Sequence, residues 1–170
     1  NKEELFSNAE KYKKNGDFLL QESRLLPFLS RYGEVTVSGS YSIDLMVNGD
    51  IDLYVVLTKF QKETVVEILN RLIEQDYFRG FYYGDYIKHL KDGFPSGYYI
   101  GLNKMHNNDF WKFDLWFVEK TDNEKDEFMR NLQEKLTEDT RYEILRRKQE
   151  RNEKKQETTS FEIYQEVVGL

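Results

Sequence analysis

The chain has 170 residues, of which 33% are charged, and its net charge is −6 at neutral pH. This length fits a single domain with one continuous core, and the longest largely apolar stretch, Ile51 to Leu57, is far too short to span a membrane. The acidic balance disfavours broad nucleic-acid binding, and the absence of cysteine excludes disulfides and thiolate metal sites. Because no charged-then-apolar leader follows Asn1, a cytoplasmic location is expected.

The first half of the chain is predicted to combine helices with two strands. Residues up to Ser30 have a helical pattern, which we expect to be interrupted near Asn15-Gly16 and kinked at Pro27. Four further elements are expected in the order strand, short helix, strand and amphipathic helix: Glu34–Ser38, Tyr41–Met46, Asp50–Leu57 and Glu63–Gln75.

The second half begins with strands and ends with helices. Phe78 to Val118 is dense in Tyr, Phe and Ile, which predicts an antiparallel meander with turns at Asp92-Gly93 and Asn107-Asn108. Helices are expected at Asn123–Leu136, Asp139 to about Gln156, and Ser160–Val168. Together these elements predict a single α/β (α+β) domain with a mixed, largely antiparallel sheet. Residues 33–118 would form its core, and residues 1–30 and 122–170 its flanking helices.

One segment carries most of the functional information. Val37-Ser38-Gly39-Ser40 precedes Asp50-Ile51-Asp52-Leu53 by nine residues. Asp50 and Asp52 occupy alternate positions of a predicted strand, so their side chains leave it on the same face. Carboxylates held this close raise each other's pKa unless a cation lies between them. With a small-residue turn beside them, they predict a divalent metal site that faces a phosphate.

This pattern resembles the signature of the polymerase-beta-like nucleotidyltransferase superfamily, in which Gly-[Gly/Ser] is followed, after such a spacer, by Asp-hydrophobic-[Asp/Glu]-hydrophobic. The resemblance covers about Val35 to Val118 and implies a nucleotidyltransferase fold. It implies transfer of NMP from an NTP, with ATP favoured, to an acceptor hydroxyl, with release of pyrophosphate. Asp50, Asp52 and a third carboxylate would hold two Mg²⁺ ions, and Gly39 and Ser40 would hold the β- and γ-phosphates.

Asp114 is the predicted third carboxylate. It lies in the run DFWKFDLWFV, on the face opposite the apolar side chains of Phe113, Leu115 and Phe117. A charge within so apolar a strand needs a partner, because burying it unpaired is costly. Asp44 and Asp85 are weaker candidates, since neither lies inside such a run.

The remaining candidates are two lysines and two histidines of the predicted meander. Lys112 shares the face of Asp114 and is assigned to the phosphates, and Lys104 is a weaker candidate for the same role. His89 and His106 are interpreted as structural or surface histidines, because no spacing links either one to a carboxylate.

The acceptor is expected to be a small hydroxylated molecule, because a single acidic domain offers no obvious track for a polymer. The alternative acceptor is a hydroxyl group of a protein. If Asn107-Asn108 forms a two-residue turn, Gly101 lies opposite Asp114 and leaves room there for the acceptor. The sequence specifies neither the acceptor, the base of the NTP nor the oligomeric state.

The role of the basic C-terminal segment and the function of the whole chain each have more than one interpretation. The basic segment Arg141 to Lys155 either contacts an anionic substrate or forms a solvated helix with pairs Glu143–Arg147 and Glu150–Lys154, and the solvated helix is favoured. For the whole chain, there are two alternatives to a nucleotidyltransferase. One is a catalytically silent nucleotide-binding or partner-binding module, and the other is a metal-dependent phosphodiesterase.

Overall fold

The computed structural model describes all residues from Asn1 to Leu170. The helices are α1 (Lys2–Ser23), α2 (Leu25–Leu29), α3 (Gly39–Ser42), α4 (Lys62–Glu74), α5 (Asn123–Lys135), α6 (Glu138–Lys154) and α7 (Ser160–Val168). The strands are β1 (Gly33–Ser38), β2 (Gly49–Leu57), β3 (Gly80–Asp85), β4 (Tyr98–His106) and β5 (Asp109–Val118). None of the helices has the length and apolar character needed to cross a bilayer.

The five strands form one sheet in the order β1-β2-β5-β4-β3. β2 and β5 are parallel, and the other three neighbouring pairs are antiparallel. The chain passes through α4, β3 and β4 before β5 pairs with β2, which gives the crossover that a parallel pair requires. The predicted class, a mixed and largely antiparallel sheet flanked by helices, is confirmed.

The two faces of the sheet differ in polarity because side chains alternate along each strand. On β2, every second side chain is buried in the main core: Ile51, Leu53 and Val55. Helices α1, α2 and α4 contribute to the same core, and burying each large apolar side chain contributes roughly 1.5–3 kcal/mol. The opposite face of β2 presents three polar side chains: Asp50, Asp52 and Tyr54.

A second, smaller core joins the C-terminal helices to the rest of the molecule. It contains side chains of α1, of the segment after α3, and of α5, α6 and α7: Ala9, Ile43, Leu45, Leu132, Ile144, Leu145, Ile163 and Tyr164. This core attaches α5, α6 and α7 to α1 and to the segment after α3. In addition, Lys125 of α5 donates a hydrogen bond to Tyr54 Oη, which places α5 over the polar face of β2.

The predicted interruption of the first helix near Asn15-Gly16 is wrong. α1 continues to Ser23, and the break occurs at Arg24, whose φ of 53° is left-handed. Gly16 is buried, and a Cβ at that position would lie 2.8 Å from the Tyr41 ring. Glycine therefore allows Tyr41 to pack closely against an intact helix. Pro27 lies in the first turn of α2, where its missing N–H leaves no helical hydrogen bond unmade.

The short helix after β1 begins earlier than predicted. α3 starts at Gly39 and ends at Ser42, whereas Tyr41 to Met46 was the predicted range. The Ser42 hydroxyl donates to Gly39 O over 2.7 Å, and Asp44 has a left-handed φ of 57° that prevents continuation. The other predicted helices and strands before and after the meander agree with the observed bounds to within two residues.

The two predicted turns of the meander have different outcomes. Asn107 and Asn108 form a tight two-residue turn with φ of 51° and 65°, and the register places Gly101 opposite Asp114. Asp92-Gly93 also forms a turn, closed by a 3.1 Å hydrogen bond from Phe94 N–H to Lys91 O, but this turn lies inside a loop and does not join paired strands, because β3 ends at Asp85 and β4 begins only at Tyr98. The long loop between these strands matters for the site described below.

Candidate active site

The three predicted carboxylates lie on one face of the sheet. The parallel register of β2 and β5 places Asp52 directly beside Asp114, and Asp50 is two residues earlier on the same face as Asp52. Asp52 and Asp114 are therefore neighbouring carboxylates on adjacent strands. Asp114 Oδ1 also accepts a hydrogen bond from Tyr99 Oη and lies 3.4 Å from Lys112 Nζ.

These carboxylates do not surround a single point. No three His, Cys, Asp or Glu side chains are arranged closely enough to hold a metal ion as they stand. The donor set nevertheless has the chemistry of a magnesium site, because it consists of carboxylate oxygens.

The electrostatics of Asp50 and Asp52 are unfavourable without a cation. Burial raises the pKa of Asp52, and the charges of Asp114 and Asp50 raise it further. Burial also raises the pKa of Asp50, and Asp114 adds to this effect, while Lys112 and Lys148 and a 2.8 Å hydrogen bond from Asn48 oppose it. A divalent cation between these groups would reverse the repulsion.

The turn at Gly39 is built directly against Asp52. Gly39 has a left-handed φ of 69°, and a Cβ on this residue would collide with Asp52 Oδ2. Only glycine therefore allows the backbone to lie so close to the carboxylate. Gly39 and Ser40 line the same cavity as Asp50 and Asp52, with a volume of about 200 Å³. We call this space the carboxylate cavity.

The C-terminal helices supply three basic side chains to the carboxylate cavity: Lys125, Lys148 and Arg151. Nothing in the sequence pattern assigns Lys125 to a site, and Lys148 and Arg151 belong to the basic segment, for which contact with an anionic substrate is the disfavoured alternative. Lys148 is 1% exposed, and its ammonium donates to Leu45 O over 2.5 Å. Burial lowers the pKa of Lys148 to about 7, and Arg151 lowers it further, against the opposing charges of Asp50 and Asp52.

The favoured interpretation of the basic segment is therefore correct for most of α6 but wrong for Lys148 and Arg151, which line the carboxylate cavity. Glu143 pairs with Arg147 over 2.7 Å, and Glu150 pairs with Lys154, as the spacing predicted. Lys148 instead follows Ile144 and Leu145 at helical spacing, on the buried stripe of α6. That stripe was the signal in the sequence that a lysine of this helix faces inward.

The remaining candidates lie apart from Gly39 and Ser40. Lys112 is not among the residues of the carboxylate cavity, and its ion pair with Asp114 faces the other side. Lys104 donates to Tyr77 O over 3.1 Å. Asp44 pairs with Lys13 at 3.6 Å, and Asp85 accepts backbone hydrogen bonds from the turn that follows β3.

Neither histidine belongs to the site. His106 stacks on Phe18 with ring centroids 5.3 Å apart, and His89 is exposed in the loop after β3. Their predicted structural or surface roles agree with these positions.

A larger cavity lies on the other side of Asp114. Its volume is about 660 Å³, and its lining comes from β2 to β5 and the loop between β3 and β4, with no helical residue. Seven of its 15 lining residues are aromatic: Tyr54, Tyr82, Tyr86, Phe94, Tyr99, Phe110 and Trp116. We call it the aromatic cavity. The room expected beside Gly101 is partly filled, because the Gly101 Cβ position lies 2.7 Å from Tyr99 Oη.

Comparisons with known proteins identify no family. Neither known protein families nor curated proteins match this chain. Among solved structures, a GTP pyrophosphokinase family protein from Streptococcus pneumoniae is similar, with 13% identity and a TM-score of 0.38 over 94% of this chain and 96% of that one. A likeness of this degree establishes neither a shared fold nor a shared function.

Proposed function

We propose that this chain is a Mg²⁺-dependent nucleotidyltransferase of the polymerase-beta-like type. It would transfer NMP from an NTP to the hydroxyl of a small molecule and release pyrophosphate. The observation that carries the proposal is the placement of Asp52 beside Asp114 on parallel strands, with Asp50 on the same face and Gly39 packed against Asp52.

Asp50, Asp52 and Asp114 would hold the magnesium. Their oxygens are the ligands that Mg²⁺ prefers, and their burial and mutual repulsion leave them in need of positive charge. When bound, Mg²⁺ supplies charge for the triphosphate and lowers the pKa of the acceptor hydroxyl. Binding at all three would require the Asp114 carboxylate to turn from Tyr99 and Lys112 towards Asp52.

The carboxylate cavity suits phosphates rather than a whole nucleotide. Its volume of about 200 Å³ is below the usual range for complete small-ligand sites. Gly39 and Ser40 lie on one side, where backbone N–H groups can approach an anion. Lys125, Lys148 and Arg151 lie on the other side. Cations so placed would bind and orient the β- and γ-phosphates, and these contacts favour the NTP over the nucleoside.

Apolar side chains of the C-terminal helices close the same cavity from above. The rings of Phe128 and Phe161 are tilted by 38° with centroids 4.4 Å apart, and both line the cavity with Met129. They would exclude water, which strengthens the electrostatic contacts to the phosphates. An acceptor would approach from the opposite side, past Asp114.

One observation favours the second candidate, a catalytically silent nucleotide-binding module. Tyr99 and Lys112 hold Asp114, and no three carboxylates converge on one point. A module of this kind would bind an NTP through the carboxylate cavity without transferring it.

The test is the release of pyrophosphate from each NTP in the presence of Mg²⁺ and a panel of hydroxylated small molecules. Asp50→Asn and Asp52→Asn should abolish it, while Asp44→Asn, whose carboxylate pairs with Lys13 elsewhere, should not. NTP binding without turnover would favour the silent module. Release of inorganic phosphate or cleavage of nucleic acid would favour a phosphodiesterase.

A further inference from the structure

The aromatic cavity has continuous walls of aromatic rings. Trp116 is at their centre, with ring centroids 4.9 Å from Tyr99, 5.4 Å from Tyr86 and 5.6 Å from Phe94. Tyr86 and Phe94 belong to the loop between β3 and β4, and their own centroids are 5.1 Å apart. The loop therefore folds back on the sheet and closes one end of the cavity.

These rings leave apolar surface uncovered. Tyr82 is 58% exposed, Phe110 is 55% exposed and Phe94 is 42% exposed, and all three line the aromatic cavity. Single exposed hydrophobic residues are normal, but several around one concave space indicate a binding site. A volume of about 660 Å³ lies within the range of small-molecule sites.

The charges of the aromatic cavity favour a neutral ligand. Its charged lining residues are Lys91, Lys112 and Asp114. Lys112 pairs with Asp114 at 3.4 Å, and Lys91 Nζ lies over the Phe94 ring, 4.4 Å from its centroid. A cationic ligand would meet the ammonium groups of both lysines. An anionic ligand would meet only one ammonium that is not paired with a carboxylate, that of Lys91. Aromatic faces suit the apolar face of an uncharged ring.

The inner end of the cavity is polar. The Asp114 carboxylate, the Tyr99 hydroxyl and the Asn103 amide line it, so a ring bound against Trp116 can place a hydroxyl near Asp114. Asp114 is also in register with Asp52 on the neighbouring strand, and Asp52 lines the carboxylate cavity. A hydroxyl at this end therefore lies between the aromatic cavity and the carboxylate cavity.

We propose that the aromatic cavity binds the acceptor, and that the acceptor is an uncharged, ring-containing small molecule that presents one hydroxyl to Asp114. This inference rests on the proposed function. The acceptor oxygen would bond to the α-phosphorus of the NTP, and the bond from that phosphorus to the oxygen bridging to the β-phosphate would break. Pyrophosphate leaves, and the hydroxyl proton passes to water.

The first experiment measures ligand binding at Trp116 without any nucleotide. A Trp111→Phe variant leaves Trp116 as the single tryptophan, because Trp111 and Trp116 are the two tryptophans of the chain. Phenyl β-D-glucopyranoside, a neutral ring compound with hydroxyls, should change its fluorescence with saturable, roughly millimolar affinity. Phenyl phosphate and phenyltrimethylammonium should bind more weakly. If Trp111→Phe fails to fold, ligand-detected saturation-transfer NMR on the natural chain gives the same comparison.

A matched pair of variants locates the binding. Phe94→Ala removes an exposed ring of the aromatic cavity and should weaken glucoside binding about fivefold. Phe18→Ala removes a ring that is 49% exposed but stacks on His106, and it should leave binding unchanged. No glucoside binding, equal binding of the charged probes, or equal effects of the two variants would overturn the proposal.

Two further measurements separate this inference from the proposed function. Displacement of the glucoside by ATP with Mg²⁺, weakened by Phe94→Ala, would make the cavity the base site of the NTP and overturn the inference. If the protein binds the glucoside specifically but releases no pyrophosphate, the aromatic cavity is a site for neutral rings and is not an acceptor site. Pyrophosphate release with an acceptor KM unchanged by Phe94→Ala would support the reaction and overturn the assignment of the cavity.

Discussion

Gly39 lies so close to Asp52 that a Cβ on Gly39 would collide with Asp52 Oδ2. The contact joins the turn after β1 to the carboxylate on β2, which are neighbouring strands with Ser38 opposite Asp52. The turn and the carboxylate are therefore in direct contact, and a substitution in either one should alter the conformation of the other.

Gly39→Ala should destabilise the protein by about 1–3 kcal/mol, because alanine is strained at positive φ and its methyl group must displace the Asp52 carboxylate. The free energy of unfolding in urea measures this loss. Gly93→Ala is the matched control, since Gly93 has a φ of 80° but nothing within 4 Å of its Cβ position. Equal losses in both variants would show that strain at positive φ, and not the contact with Asp52, accounts for the effect.

Asp52→Asn should stabilise the metal-free protein at about pH 8 by roughly 1–3 kcal/mol. The folded-state pKa of Asp52 is raised, so its favourable contribution is present below the ordinary value of 3.8 and is lost as pH rises through the raised value. The variant should therefore lose less stability than the natural chain between about pH 4 and pH 8. Unfolding curves in a chelator test this, and a steeper loss in the variant would contradict it.

Mg²⁺ should raise the melting temperature, because a ligand of the folded state stabilises it by mass action. For a chain of this size the shift is about 2–4 °C for each kcal/mol of binding energy gained. Asp50→Asn and Asp52→Asn should remove the shift, and Asp44→Asn should keep it. A shift that survives in Asp52→Asn would place the ion elsewhere.

Lys148→Met should flatten the rise of stability with pH between about pH 7 and pH 9. The pKa of Lys148 is lowered to about 7 in the folded state, so the unfolded state binds more protons above that pH. The penalty for burying its charge is complete below pH 7 and declines by up to about 1.4 kcal/mol per pH unit above it. Lys154→Met, at an exposed position of the same helix, should leave the slope unchanged.

Much of the polar sheet face could be predicted from the sequence. Successive side chains of β2 and β5 point to opposite faces of the sheet. Asp50, Asp52 and Asp114 therefore leave their strands on the face opposite the apolar side chains that alternate with them. The two asparagines at Asn107-Asn108 tolerate left-handed backbone angles, so the turn and the register at Gly101 could also be predicted.

The remaining features depend on tertiary contacts. Asn15-Gly16 is a typical helix interruption in isolation, but the Tyr41 ring needs the space that Gly16 leaves. Lys148 lies in a strongly charged segment, and the average charge of that segment conceals one buried position. Tyr99 fills the room beside Gly101 because its side chain bonds to Asp114, a contact that strand register alone does not specify.

The position of β2 between β1 and β5 has a consequence for how the chain acquires its structure. β1 can pair with β2 soon after both are synthesised, but β5, the other neighbour of β2, follows only after α4, β3 and β4. Until then β2 has an exposed edge of unpaired backbone groups, which favours association between unfinished chains. A fragment that ends before Asp109 should therefore aggregate rather than form a smaller stable domain.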